Sequence, residues 1–119
     1  MPQNTNPSRH LRPEEIALIA GMLESHPLKS KFSMQSSDYY VQDIDDGGMG
    51  SIQFLSLSQT KRKFGMRIAE VEYTDQDGVL VLVSIITDEQ GELYEIDFWK
   101  VDFSPLIHYP SPNQLRITG

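Results

Sequence analysis

The stretch Gly78–Leu106, GVLVLVSIITDEQGELYEIDFWKVDFSPL, decides the fold. Its first part, Val79 to Thr87, is apolar on both faces of an extended chain, which predicts a central strand. Asp88-Glu89-Gln90-Gly91 reads as a turn, because Asp bonds its own backbone and Gly supplies positive φ. Glu92 to Val101 is a second long strand, and Ser104-Pro105 ends regular structure. The apolar run Val79–Val83, extended past Ser84 by Ile85 and Ile86, is far short of the ~20 residues a membrane helix needs.

Upstream, Phe64–Thr74 is a strand and Asp75-Gln76-Asp77-Gly78 its turn. Ser51–Leu57 alternates as a half-buried strand, Tyr39–Ile44 has strand character, and Asp45-Asp46-Gly47-Gly48 joins the two as a hairpin. Leu11–Ser25, LRPEEIALIAGMLES, predicts a helix. Pro13 suits its first turn, and Glu14 and Glu15 sit at the positive end of its dipole. Ile16, Ile19, Ala20 and Leu23 repeat at helical spacing, widened by Leu18 and Met22, and His26-Pro27 stops it. The expectation is an α+β domain: one N-terminal helix packed on an antiparallel sheet of about five hairpin-connected strands. Residues 1–11 read as a disordered arm, 12–107 as the single domain and 108–119 as an irregular tail. Ser58–Lys63, SQTKRK, reads as a solvated basic turn.

Composition narrows the function classes. In 119 residues there are 17 Asp and Glu against 10 Lys and Arg, a net charge of −7. Such a chain repels a phosphate backbone, so nucleic acid is not the expected partner. A basic protein surface or a cation is, unless the charge serves only solubility. With no cysteine, disulfides, thiolate metal sites and cysteine nucleophiles are excluded, which fits a reducing cytoplasm. MPQNTNPSRH lacks the apolar segment of a signal peptide, and neither a membrane span nor a cofactor motif is expected. The serine-hydrolase, zinc-protease and dinucleotide motifs are absent. Asp43-Ile44-Asp45-Asp46-Gly47-Gly48 begins like a calcium loop, but Phe54 stands where the bidentate Glu belongs. No metal ligand or catalytic residue is therefore assigned.

If the turns at 75–78 and 88–91 are four-residue loops, Thr74 faces Val79 and Thr87 faces Glu92. One sheet face then carries Val79, Val81, Val83, Ile85, Tyr94, Ile96 and Phe98, with Glu70 and Glu72 at its rim. The other carries Arg67, Tyr73, Ser84, Glu95, Asp97 and Trp99. Glu95 and Asp97 are two residues apart on one strand, so their Cβ atoms lie ~7 Å apart. Paired carboxylates can perform acid–base chemistry. Beside a tryptophan they can also bind a basic surface, and a solvated sheet face decorated with charges is the plainest reading of all, with acid–base chemistry the last. The candidate binding residues are Glu95, Asp97, Trp99, Arg67 and Tyr73, with Asp45 and Asp46 in the turn.

The residues LRPEEIALI (Leu11–Ile19), DGGMGS (Asp46–Ser51), DQDGV (Asp75–Val79) and GELYEIDFWKVDFSPL (Gly91–Leu106) resemble a family of short bacterial proteins of unknown function. The resemblance implies a stand-alone cytoplasmic domain and assigns no catalytic residue. In type, small acidic bacterial domains of this kind are similar to immunity proteins, which neutralise basic toxin domains. The first expectation is thus a non-enzymatic protein-binding module, in the form of an immunity-type inhibitor of a basic partner. The alternatives are a small-molecule binder or weak hydrolase with a pocket between helix and sheet, and a homo-oligomer joined through a sheet edge or the Trp99 face.

Overall fold

A computed structural model describes residues 6–32, 39–55 and 62–117. Among these residues there is one α-helix, α1 (Pro13–Leu23), and it packs on an antiparallel sheet of β1 (Ser8–His10), β2 (Tyr40–Asp43), β3 (Ile52–Phe54), β4 (Phe64–Thr74), β5 (Leu80–Asp88), β6 (Leu93–Lys100) and β7 (Arg116–Ile117). The α+β class is as expected, but the sheet has seven strands in the order β1-β2-β3-β6-β5-β4-β7 rather than about five joined by hairpins. Only β2–β3 and the meander β4–β5–β6 are hairpin-connected. The two units join where β3 pairs with β6, Ile52 opposite Ile96 and Gln53 opposite Glu95.

The two extra strands lie in stretches expected to be an arm and an irregular tail, and they form the sheet's edges. Polar β1 is held by ion pairing. The Arg9 guanidinium lies 2.8 Å from Glu15 of α1 and 2.7 Å from Asp43 of β2. Glu15 also accepts the Arg12 N–H at 2.7 Å, which satisfies a donor at the helix start. β7 pairs with only Val71 and Glu72 of β4. Gly21 admits the chain before β7 against the helix, since a Cβ there would stand 2.9 Å from Pro112.

The helix buries Glu15, Leu18, Ile19 and Leu23, a stripe rotated from the expected one, with Ala20 exposed. It covers Val71, Tyr73, Val81, Val83, Ile85, Ile96 and Phe98 on the inner sheet face. Each fully buried Leu, Ile or Phe contributes ~2 kcal/mol.

The register differs from the four-residue-loop expectation for a local reason. Asp75 N–H donates to Val79 O and Gly78 N–H to Asp75 O, while Gly78 has φ +79°. Asp88, Glu92 and Gly91 (φ +83°) repeat the arrangement. Both loops therefore have three residues, closed by a left-handed glycine. That one-residue change sets Thr74 opposite Leu80 and Tyr73 opposite Val81. It moves Tyr73 into the core and turns Glu70 and Glu72 outward. A bulge between Ile86 and Thr87 adds a further step, so Ser84 faces Asp97 and Leu82 faces Trp99.

Arg62, read as part of a solvated basic turn, is a clamp. It lies 2.9 Å from Asp88 and donates to Phe54 O at 2.8 Å and to Leu93 O, with its guanidinium over the Tyr94 ring. Residues 58–61 of that turn and Met34, expected as an anchor, lie outside the described residues.

Candidate functional site: the outer face of the sheet

Two carboxylate sites stand out, one beneath the sheet's end and one on its open face. The first was not expected. Lys100 follows Trp99 on β6 and turns inward to lie fully buried opposite Val81. Its ammonium reaches Asp75 at 2.8 Å and Asp77 at 2.7 Å, and donates to Pro105 O at 3.0 Å. Asp75 also accepts the N–H groups of Gln76, Ile107 and His108 at 2.8–2.9 Å. Burial alone would raise the Asp75 carboxyl, but those backbone donors and the Lys100 ammonium outweigh it and hold it at about 2. Tyr73 belongs to this interior arrangement. It is fully buried, donates its O–H to His108 O at 2.9 Å, and burial, followed by the Asp75 charge, pushes its phenol up. Tyr73 is thereby removed from the outer face where the register expectation had placed it. The knot ties the β4–β5 turn to the segment after β6.

The second site is the outer face itself. Alternation along β6 places Glu95, Asp97 and Trp99 there together. Across the sheet the rows read Arg67–Ile86–Glu95–Gln53, then Glu70–Ser84–Asp97, then Glu72–Leu82–Trp99. Burial pushes the Glu95 carboxyl up to about 7, helped by the charge of Asp97, a hydrogen bond with it and the charge of Asp46. Asp97 is also raised, first by burial and then by Asp46. Its hydrogen bond with Glu95, the Arg67 charge and the Ser51 hydroxyl oppose the rise. Both carboxyls therefore hold a proton more readily than a free carboxyl, and their titrations are coupled. Among the described residues no ion pair joins Glu95 or Asp97 to a cation.

Arg67 lies on this face in the same row as Glu95, with Ile86 between them, and its guanidinium is 3.1 Å from Glu70. Asp46 holds the β2–β3 turn by accepting the N–H groups of Met49 (3.0 Å) and Ser51 (3.1 Å). The turn reading of this loop thus stands, and Asp46 faces the carboxylate pair electrostatically. Asp45 is exposed, and nothing in the geometry joins it to the pair.

Two neighbours, Ser51 and Phe103, were missed, while Ser84 lies on the outer face where the alternation had placed it. Ser51 and Ser84 are buried against the outer face. Ser51 Oγ accepts the Phe98 N–H at 2.9 Å, and the Ser84 hydroxyl donates to Glu70 at 3.3 Å. Phe103 is 64% exposed beside Trp99, itself 45% exposed, with ring centroids 5.1 Å apart. The pairing of β3 with β6 that brings Ser51 to Phe98 joins strands far apart in the chain and cannot be counted from the turns, and no pattern in VDFSPL announces the Phe103 conformation.

A groove of about 340 Å³ lies between the C-terminal end of α1 and the edge of β4, lined by Met22, His26, Ile68 and Ile117 among others. It opens at the sheet edge, outside the packed interior between helix and sheet. His26 receives the Leu28 N–H on Nδ1 at 3.0 Å and donates from Nε2 to Ile68 O at 2.9 Å, which ties the helix end to that edge. Among the described residues no group of three or more His, Asp or Glu side chains is placed to hold a metal ion, and no helix is long and apolar enough to cross a membrane.

No curated protein and no solved structure matches the chain. Through residues 8–110, which span the helix, strands β1–β6 and the rows that carry Glu95, Asp97 and Trp99, the chain belongs to the family described as a domain of unknown function, DUF6984.

Proposed function

We propose that this domain is a non-enzymatic binding module that receives a basic protein surface on its outer sheet face. The observation that carries the reading is the Glu95–Asp97 pair. Two adjacent half-buried carboxyls, without a cation of their own among the described residues, stand next to an exposed tryptophan. A cation from a partner would relieve their mutual repulsion, and Trp99 would supply apolar contact area. The net charge of −7 favours the same class of partner over long range. In its sharper form the role is that of an immunity-type inhibitor, neutralising a basic toxin domain in the cytoplasm.

The test is capture from the native host by the tagged protein and by a Glu95→Lys/Asp97→Lys variant, each at low and high salt. One stoichiometric basic protein should be held by the native chain at low salt, and lost both at high salt and on the variant. Retention by the variant, or salt-independent capture, would refute the reading.

A further inference from the structure

The loop after β6 builds an aromatic feature at some cost to the backbone. Phe103 has φ +65°, the only non-glycine residue among those described in the left-handed region. A bulky side chain rarely occupies that region, and strain of this kind persists only where the surroundings enforce it. Here they do. The Phe103 N–H closes a turn onto Lys100 O at 2.9 Å, and Val101 N–H donates to Leu80 O at 3.1 Å. Asp102 accepts the N–H and O–H of Ser104 at 3.0 and 2.6 Å. The buried Lys100 then fixes Pro105 from below, and Leu106 N–H donates to Gly48 O at 3.0 Å. The loop is held at both ends, yet the ring it presents is turned to solvent and packs only edge-on with Trp99, at an interplanar angle of 63°.

Two aromatic rings fixed at an angle, with Asp97 two residues before Trp99 and the exposed Asp102 next to Phe103 in the chain, form a particular kind of receptor. Asp97 precedes Trp99 by two residues on the same face, ~7 Å away, and Asp102 precedes Phe103 in the loop. Apolar ligands would not explain the flanking charges, and a compact, strongly hydrated ammonium gains little from ring faces. A guanidinium is planar and weakly hydrated, stacks on aromatic rings and pairs with carboxylates along its edge. Building on the basic-partner reading above, we propose that the Trp99–Phe103 pair is the anchor point for an arginine side chain of the partner, flanked by the Asp97 and Asp102 carboxylates, and that it selects arginine over lysine.

Trp99 is the only tryptophan in the chain, so its fluorescence reports directly on the anchor. Two soluble peptides of equal length and charge, one carrying arginine and the other lysine, serve as probes at low ionic strength. The arginine peptide should alter Trp99 emission saturably and bind roughly tenfold tighter than the lysine peptide. Phe103→Ala should abolish most of that preference. Phe103→Gly separates recognition from folding, since glycine relieves the positive φ. It should raise the melting temperature while weakening arginine binding.

Equal, salt-sensitive binding of both peptides would overturn the arginine anchor and leave the acidic face standing as a docking surface. Saturation by neither peptide would overturn the anchor as well, with the capture experiment deciding the broader reading independently. Unchanged arginine preference in Phe103→Gly would also overturn it.

Discussion

Asp75 lies beneath the β4–β5 turn with a buried ammonium and the N–H groups of Gln76, Ile107 and His108 aimed at it. Glu95, on the open side of the same sheet, has another carboxylate, Asp97, as the charge that acts on it most strongly. Both carboxyls are withdrawn from water, which by itself disfavours the charged form. Donors reverse that penalty at Asp75, and like charges deepen it at Glu95. One charge is therefore part of the fold. The other is held against the fold's interest, in a place where an outside cation can reach it. Conflicts of this kind in an otherwise consistent sequence are expected at functional surfaces.

The contrast can be broken most forcefully at Asp75. Asp75→Ala removes a buried ion-pair partner and strands the N–H groups of Ile107 and His108. It should cost about 3–5 kcal/mol in denaturant unfolding. A loss under 1 kcal/mol would mean that the knot is dispensable.

The same carboxyl predicts an acid limb. Its folded value of about 2 lies below its unfolded value of 3.8, so the ionised form is favoured by folding. That stability is complete above about pH 4 and disappears as pH falls through about 2, a loss of ~2 kcal/mol. Stability measured between pH 5 and pH 2 checks this, and the limb should flatten in Asp75→Asn.

At Glu95 the sign is opposite. Its folded value, about 7, lies above its unfolded value of 4.5, so folding favours the protonated form. Stability from this group is present below pH 4.5 and lost as pH rises through about 7. Glu95→Gln should stabilise the domain at pH 8 by about 1 kcal/mol once solvent screening is allowed for, with little effect at pH 4. Equal effects at both values would remove the proposed strain. Tyr73→Phe deletes only the O–H donated to His108 O and should cost ~1 kcal/mol, independent of pH between 5 and 8.

Hydrophobic patterning made the helix, the strands at Phe64–Thr74, Leu80–Asp88 and Leu93–Lys100, and the β2–β3 pair legible in the sequence. Alternation also grouped Glu95, Asp97 and Trp99 on one strand face. What stayed hidden depends on contacts between distant residues. β1 is polar and exists because Arg9 finds Glu15 and Asp43, while β7 is two residues borrowing the edge of β4. Tyr73 was placed on the outer face because DQDG was counted as a four-residue loop. Gly78 in a left-handed conformation shortens it to three and flips β4 from Ala69 to Thr74, while the bulge between Arg67 and Ala69 returns Arg67 to the outer face. Alternation turns Lys100 inward after the outward Trp99, and only the carboxylates and carbonyl beneath the turn explain how a lysine is accommodated there.

The most direct test of the contrast between the two faces is a side-chain carboxyl titration by NMR, following Asp75 and Glu95 in one sample from pH 1.5 to 9. The expected midpoints are about 2 for Asp75 and about 7 for Glu95, the latter coupled to Asp97. Midpoints for both near the ordinary carboxylate value of ~4 would contradict the matched interior charge and the mismatched outer one together.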